Sequence, residues 1–268
     1  MKMAIIYSLS ALLMIYLLIC GLLYPYQEKL IFFPQKLPTD YTFQFHQEFK
    51  EVIIPADDSI KLHGVLFKTS PPPKGLLFYL HGNAGALDSW GEIASIYTDM
   101  GYDLFILDYR GYGKSEGEIH SQKQFYADVQ LAYNTLKKEY AEDHITIIGY
   151  SIGTGAASML ASTNKPARLI LQAPYYSLTD MVSHLYPLAP KFILKYTFET
   201  FRFLQKTNVP VIIFHGDQDE VIYYGSSLKL QPYLKATDRF ITLKGQGHNG
   251  ITENPAYQAA LRKILLSE

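Results

Sequence analysis

The sequence predicts an α/β fold: a mostly parallel eight-stranded sheet with helices on both faces, preceded by one apolar helix. Three observations predict it. Short, continuous apolar runs recur along the chain, as strands buried on both faces require. Amphipathic helical stretches separate them, which favours parallel pairing through crossover helices. Residues 4–24 carry no charge over about 21 positions, enough to cross the hydrocarbon core of a bilayer. The 268-residue length suits one large domain behind such a helix.

Composition narrows the function classes. Lys and Arg number 24 against 25 Asp and Glu, a net charge of −1. A near-neutral chain has no global field to hold nucleic acid, so no nucleic-acid partner is expected. With 48% hydrophobic and 18% charged residues, the chain is too apolar to be disordered. Cys20 is the single cysteine. It excludes an internal disulfide and any zinc site built on several cysteines.

The elements follow in chain order. The apolar run ends Leu22-Leu23-Tyr24-Pro25-Tyr26, without the small-residue site of a cleaved signal peptide. Ile19 before Cys20 argues against lipoprotein processing. Tyr24 and Tyr26 suit the headgroup level. The expectation is an uncleaved, single-pass transmembrane anchor over residues 1–28 and one domain over 29–268. The favoured orientation is amino terminus inside and body extracytoplasmic, although Lys2 on one side and Lys29 and Lys36 on the other give little asymmetry. Residues 30–34 are short and apolar and are placed near the membrane. Residues 49–54 and 60–67 form a hairpin across the turn cluster Ala56-Asp57-Asp58-Ser59. Buried strands are expected at 75–80, 104–107, 145–148, 169–171, 211–214 and 240–243. Helices are expected at 86–100, 122–140, 152–163, 225–235 and 255–266. The stretch 175–208 has no strand signal and is rich in aromatics, which predicts a small helical cap inserted over the sheet.

Four strand ends carry chemistry. Gly149-Tyr150-Ser151-Ile152-Gly153 fits G-x-S-x-G between a buried strand and a helix rich in small residues, the setting of a nucleophile elbow. The glycines permit the sharp turn, and the helix N-terminus favours the negative charge that develops there. A serine nucleophile also needs two backbone N–H donors for its oxyanion. One falls to Ile152, the residue after the serine. The other falls to the loop His81-Gly82-Asn83-Ala84-Gly85, with Asn83 preferred and Ala84 second. His81 itself is read as a brace for that loop. His215-Gly216-Asp217-Gln218-Asp219 offers two aspartates for the histidine's partner. Asp217 sits in the turn and reads as an Asx residue, so Asp219 is preferred. Gly245-Gln246-Gly247-His248-Asn249-Gly250 sets a histidine between glycines on a loop, where packing gives it little reason to be. The order Ser151, Asp219, His248 is that of α/β-hydrolases and of neither protease order. The other histidines, at 46, 63, 120, 144 and 184, lack ligand spacing. Gly111-Tyr112-Gly113-Lys114-Ser115 lacks the glycine that a P-loop needs at position 108, which is aspartate. No cofactor or metal is expected.

These segments, with Asp108-Tyr109-Arg110-Gly111-Tyr112-Gly113-Lys114-Ser115-Glu116-Gly117 and Gln27-Glu28-Lys29-Leu30-Ile31-Phe32-Phe33-Pro34, resemble the bud-emergence-type branch of α/β-hydrolase-domain serine hydrolases. The resemblance covers nearly the whole chain. It implies the α/β-hydrolase fold and an ester or thioester hydrolase with Ser151 as nucleophile, Asp219 as acid and His248 as base. Some relatives remove acyl groups from lipidated proteins. The chain departs from the pattern at Gly250, where relatives often carry an aspartate. The expected function is therefore acyl transfer to water from a small or lipid-like ester with an apolar chain. An acyltransferase on the same triad, and a non-catalytic membrane-tethered binding protein, are the alternatives.

Overall fold

The continuous apolar runs become the inner strands of one sheet because both of their faces are covered. A computed structural model of the chain describes residues 2–56 and 59–266. Eight strands form the sheet: β1 (Phe49–Pro55), β2 (Lys61–Phe67), β3 (Leu76–Leu80), β4 (Asp103–Asp108), β5 (Ile145–Tyr150), β6 (Arg168–Gln172), β7 (Val211–Gly216) and β8 (Arg239–Leu243). Their order across the sheet is β8-β7-β6-β5-β3-β4-β2-β1. β1 and β2 form the expected antiparallel hairpin, and β2 also runs antiparallel to β4. Asp57 and Asp58 of the expected turn lie outside the described residues. All other neighbours are parallel.

Side chains alternate between the two faces along each strand. Phe78, Phe105, Ile147, Leu171 and Ile213 pack with helices α2 (Gln122–Leu136) and α3 (Gly153–Thr163). Tyr79, Ile106, Ile148, Ile170 and Phe214 pack on the other side with Tyr97 and with Tyr257 and Leu261 of the last helix, Pro255–Leu266. Two of the expected helices are broken. The stretch 86–100 splits into Leu87–Trp90, a 3-10 turn Gly91–Ile93 and Ala94–Thr98. A Cβ on Gly91 would lie 2.3 Å from the Phe45 ring, so the chain passes closely there at a residue that weakens a helix. The stretch 225–235 reduces to Tyr224–Leu228 and a 3-10 turn Gln231–Tyr233, where Pro232 removes a helix donor.

The guanidinium of Arg110 pins α2 to the loop after β4. Its Nε and Nη2 each donate to the Asp128 carboxylate at 2.8 Å, and both side chains are buried. Removing one partner of a buried, bidentate pair leaves the other charge uncompensated. Arg110→Ala is expected to lower the unfolding free energy by about 3–5 kcal/mol. Denaturant titration of the purified protein measures this; a loss under about 1 kcal/mol would mean the pair is screened like a surface bridge.

The first helix, α1 (Lys2–Leu23), has no buried residue. A 3-10 turn Tyr24–Tyr26 joins it to a short helix Gln27–Ile31, so the expected boundary at 28 falls within that helix. From there the chain does not simply lie beside the body. Phe33 and Pro34 pair in parallel with Ala84 and Gly85. Gln35 and Leu37 exchange backbone hydrogen bonds with Gly113 at 2.8 and 3.0 Å. Between β6 and β7 the stretch expected to form a cap, and called the cap below, holds α4 (Leu178–Leu185), the 3-10 turn Lys191–Ile193 and a short helix Thr200–Leu204.

Candidate active site

The parallel strands all end at one edge of the sheet, and the loops beyond Leu80, Asp108, Tyr150, Gly216 and Leu243 gather there. This carboxyl edge is where open α/β sheets place their ligands. The loops bring Ser151, Asp219 and His248 together from residues 68 and 29 positions apart.

Ser151 turns from β5 into α3 with φ 52°, a left-handed conformation that costs a non-glycine residue free energy. The surroundings impose it. A Cβ on Gly149 would lie 2.7 Å from that of Ala157, and one on Gly153 would lie 2.2 Å from the Leu80 carbonyl oxygen. Only glycines let helix and strand approach so closely. The Ser151 amide donates to the Gln172 carbonyl at 2.9 Å. The serine is 6% exposed.

His248 reaches the serine from the loop after β8. Its Nε2 lies 3.1 Å from Ser151 Oγ and its Nδ1 lies 2.8 Å from Asp219 Oδ2. The Asp219 carboxylate is fully used. Oδ1 accepts the amides of Val221 and Ile222 at 2.9 and 2.8 Å, and Oδ2 also meets His215 Nε2 at 3.1 Å. Burial alone would raise this carboxyl; the hydrogen bonds from His215 and His248 and the charge of His248 outweigh it. They hold Asp219 well below the ordinary carboxylate range. Asp217, the rival acid, points elsewhere and accepts the Gly245 amide at 2.7 Å.

Three residues around this chain were not singled out in the sequence. His215 is the second histidine on Asp219. The Tyr150 hydroxyl donates to the His248 carbonyl, and Glu220 Oε2 accepts the His248 amide at 3.2 Å. The signal for His215 was present: it stands four residues before Asp219 at the end of a strand. Tyr150 carried no signal, because the variable position of G-x-S-x-G is read as free.

Two peptide units bear the candidate oxyanion donors, and each is oriented from its opposite end. A trans peptide points its C=O and N–H in opposite directions, so fixing the carbonyl aims the amide. The Gly82 carbonyl, joined to the Asn83 amide, lies 2.7 Å from His81 Nδ1. The Ser151 carbonyl, joined to the Ile152 amide, accepts Thr154 N at 3.0 Å and Thr154 Oγ1 at 2.6 Å. The Asn83 carbonyl accepts the Tyr112 hydroxyl at 2.7 Å, and its side-chain oxygen accepts the Phe33 amide at 3.2 Å.

His81 is a fully buried brace, packed against Trp90 and Tyr109. Burial pushes it down to about 4, so it stays neutral and keeps one ring N–H for the Gly82 carbonyl. Its neighbour Asp108, with Oδ1 3.8 Å from His81 Nε2, is pushed by burial up to about 8. An Asp protonated when folded and ionised when unfolded binds more protons in the native state, so stability falls as pH rises between the two values. Below about 6.5 the opposite slope of His81 offsets this. From pH 6.5 to 8 wild-type stability is therefore expected to fall by roughly 1 kcal/mol per pH unit relative to Asp108→Asn. Parallel melts across that range test it. A difference between the two proteins that does not change over that range would mean that Asp108 is ionised in the folded protein.

The comparisons with known proteins agree with this architecture. The family model described as serine aminopeptidase, S33, matches residues 71–203. The alpha/beta hydrolase domain-containing protein 17B of Xenopus tropicalis is 32% identical over 207 residues, covering 75% of this chain and 69% of that protein. The human 17B protein is 31% identical over the same length and shares. Among solved structures, an esterase from Pyrococcus furiosus superposes with a TM-score of 0.69 at 19% identity, covering 87% of this chain and 98% of its own. That likeness shows the α/β-hydrolase fold.

Proposed function

Because the chain belongs to the α/β-hydrolase-domain family of these relatives and is a hydrolase, we propose that it cleaves carboxylic esters or thioesters with an apolar acyl chain, through an acyl-enzyme on Ser151. His248 Nε2 takes the proton as Ser151 Oγ attacks the carbonyl carbon. The amides of Asn83 and Ile152 hold the oxyanion. The intermediate collapses, the alcohol or thiol leaves with the proton from His248, and water then attacks the acyl-enzyme with His248 again as base. Asp219 keeps Nδ1 protonated and stabilises the imidazolium. The observation that carries this reading is the unbroken contact Asp219–His248–Ser151, at 2.8 and 3.1 Å, with the serine raised on a strained turn.

We place the protein at a membrane through α1, as a single-pass anchor with the body outside the cytoplasm. No charge occurs between Lys2 and Glu28, and α1 passes through the single 3-10 turn Tyr24–Tyr26 into the helix that grips the cap.

Initial rates on p-nitrophenyl esters of increasing acyl length, beside aminoacyl anilides, test the proposal. Ester turnover is expected, with kcat/KM rising by up to roughly fourfold per buried CH₂. Cleavage of anilides alone would replace it with the peptidase chemistry of the family model's description. Product diverted quantitatively to an added alcohol would make the enzyme an acyltransferase.

A further inference from the structure

The tip of the cap leaves large apolar side chains uncovered. Leu185, Tyr186, Leu188 and Phe192 are 56, 65, 85 and 87% exposed. They lie within eight positions of one another, whereas Ile53, Val221 and Leu228 are exposed singly. Scattered apolar residues need no explanation, but a contiguous patch does. Residues 185–195 contain two lysines, Lys191 and Lys195, and no acid.

The structure indicates what covers this patch. The Tyr16 hydroxyl donates to the Leu188 carbonyl at 2.8 Å. Gln27 binds the Ile193 carbonyl and the Lys195 amide at 2.8 and 2.9 Å, and Glu28 pairs with Lys195 at 3.2 Å. The tip therefore runs alongside the apolar helix, from the level of Gln27 back to that of Tyr16. Tyr16 lies seven residues before the end of α1, about 10 Å along its axis.

We propose that the cap tip enters the same bilayer as α1, as a second, monotopic contact in the headgroup–acyl boundary of an anionic leaflet. This rests on the reading of α1 as a membrane anchor. The depth matches that of interfacial elements, roughly 5–10 Å. Much of the tip's backbone is satisfied without water, and the amides of Leu188, Lys191 and Phe192 are left to bond the lipid phosphates and carbonyls of the boundary region rather than the hydrocarbon core. Pro187 and Pro190 have no N–H to desolvate. The amides of Tyr186, Ala189, Ile193 and Leu194 all bond within the segment or to Val182. Lys191 can carry its charge to the lipid phosphates while its stem stays apolar. At its base, α4 is fixed to the loop beyond Asp219, where Asp180 accepts the hydroxyls of Tyr223 and Ser226 at 2.6 and 2.8 Å. The cap thus spans from the acid loop of the candidate triad to the lipid surface, so an acyl chain held in the leaflet is the substrate class this arrangement favours.

The test uses the full-length chain in vesicles containing about one-third anionic phospholipid, with Cys20→Ser and single cysteines carrying a nitrobenzoxadiazole dye. Leu188→Cys and Phe192→Cys report the tip, Leu12→Cys the helix, and Lys138→Cys a remote exposed surface. Dyes at 188 and 192 are expected to be quenched by lipids bearing a doxyl group near the headgroup, and protected from iodide, at least twofold relative to position 138. Tip dyes matching position 138 while position 12 is lipid-quenched would overturn the inference alone. Loss of lipid quenching at position 12 as well would overturn the anchor reading with it. Soluble-ester turnover in the same samples reports the hydrolase proposal separately. As a second readout, Leu188→Asp with Phe192→Asp is expected to lower turnover of a bilayer-embedded long-chain ester at least fivefold and to leave soluble short-chain ester turnover unchanged. Equal loss on both would overturn it.

Discussion

Replacing Ser151 with alanine is expected to lower kcat by about 10⁶-fold, the loss seen when the nucleophile of a serine hydrolase is removed. Alanine fits the site, since it needs the same left-handed backbone and fills less volume, so the variant should fold. Labelling by a fluorophosphonate checks this directly, because the probe reports an activated serine and needs no knowledge of the substrate. Labelling should be present in wild type and absent from both Ser151→Ala and His248→Ala. His248→Ala loses the proposed base, whose Nε2 lies 3.1 Å from the hydroxyl. A folded wild type that does not label would sink the acyl-enzyme mechanism and promote the reading as a tethered binding protein.

Asp219→Asn is expected to cost about 10⁴-fold in kcat, as the corresponding change does in serine proteases. The carboxylate accepts from His248 Nδ1 on one oxygen, which also lies 3.1 Å from His215 Nε2, and from two amides on the other; His215 Nε2 itself meets the Ile222 carbonyl at 3.0 Å. An amide side chain must present an NH₂ to one of these pairs. If it faces His248, the imidazole is forced into the tautomer that cannot take the serine's proton. Asp217→Asn should change kcat by less than about tenfold, since that residue serves a turn. Equal losses in the two variants would mean the acid role is misassigned. The pH dependence follows with a definite sign. A carboxyl held below its unfolded value contributes stability that is present above about pH 4 and lost as pH falls through the folded value. The stability gap between wild type and Asp219→Asn should therefore close on acidification below about pH 4.

Much of this architecture is written locally in the sequence. Strands such as Leu76–Leu80 and Val211–Gly216 are legible because burial on both faces removes every polar position. Gly149, Gly153 and the glycines around His248 are legible because the turns they permit exclude most other residues. What was not legible depends on distant partners. Residues 30–34 look merely apolar, and nothing in them announces that Phe33 and Pro34 pair with Ala84 and Gly85 fifty positions away. The helix expected at 86–100 breaks at Gly91 because Phe45 occupies the space a side chain would need. The cap was readable only as a stretch without strand signal, and the course of its tip along α1 is set by Tyr16, Gln27 and Glu28, all in a different segment.

The ladder between Phe33–Pro34 and Ala84–Gly85 makes the tether a stiff coupling rather than a leash. Only Phe32, itself buried, separates the end of the helix Gln27–Ile31 from the strand that borders Asn83. Torque on the helix is thus delivered to the peptide proposed to hold the oxyanion, with no slack segment to absorb it. A soluble form is expected to keep its turnover when cut ahead of Gln27. Cut after Pro34, it should lose turnover while the sheet still folds, as circular dichroism and ester kinetics on the two truncations would register.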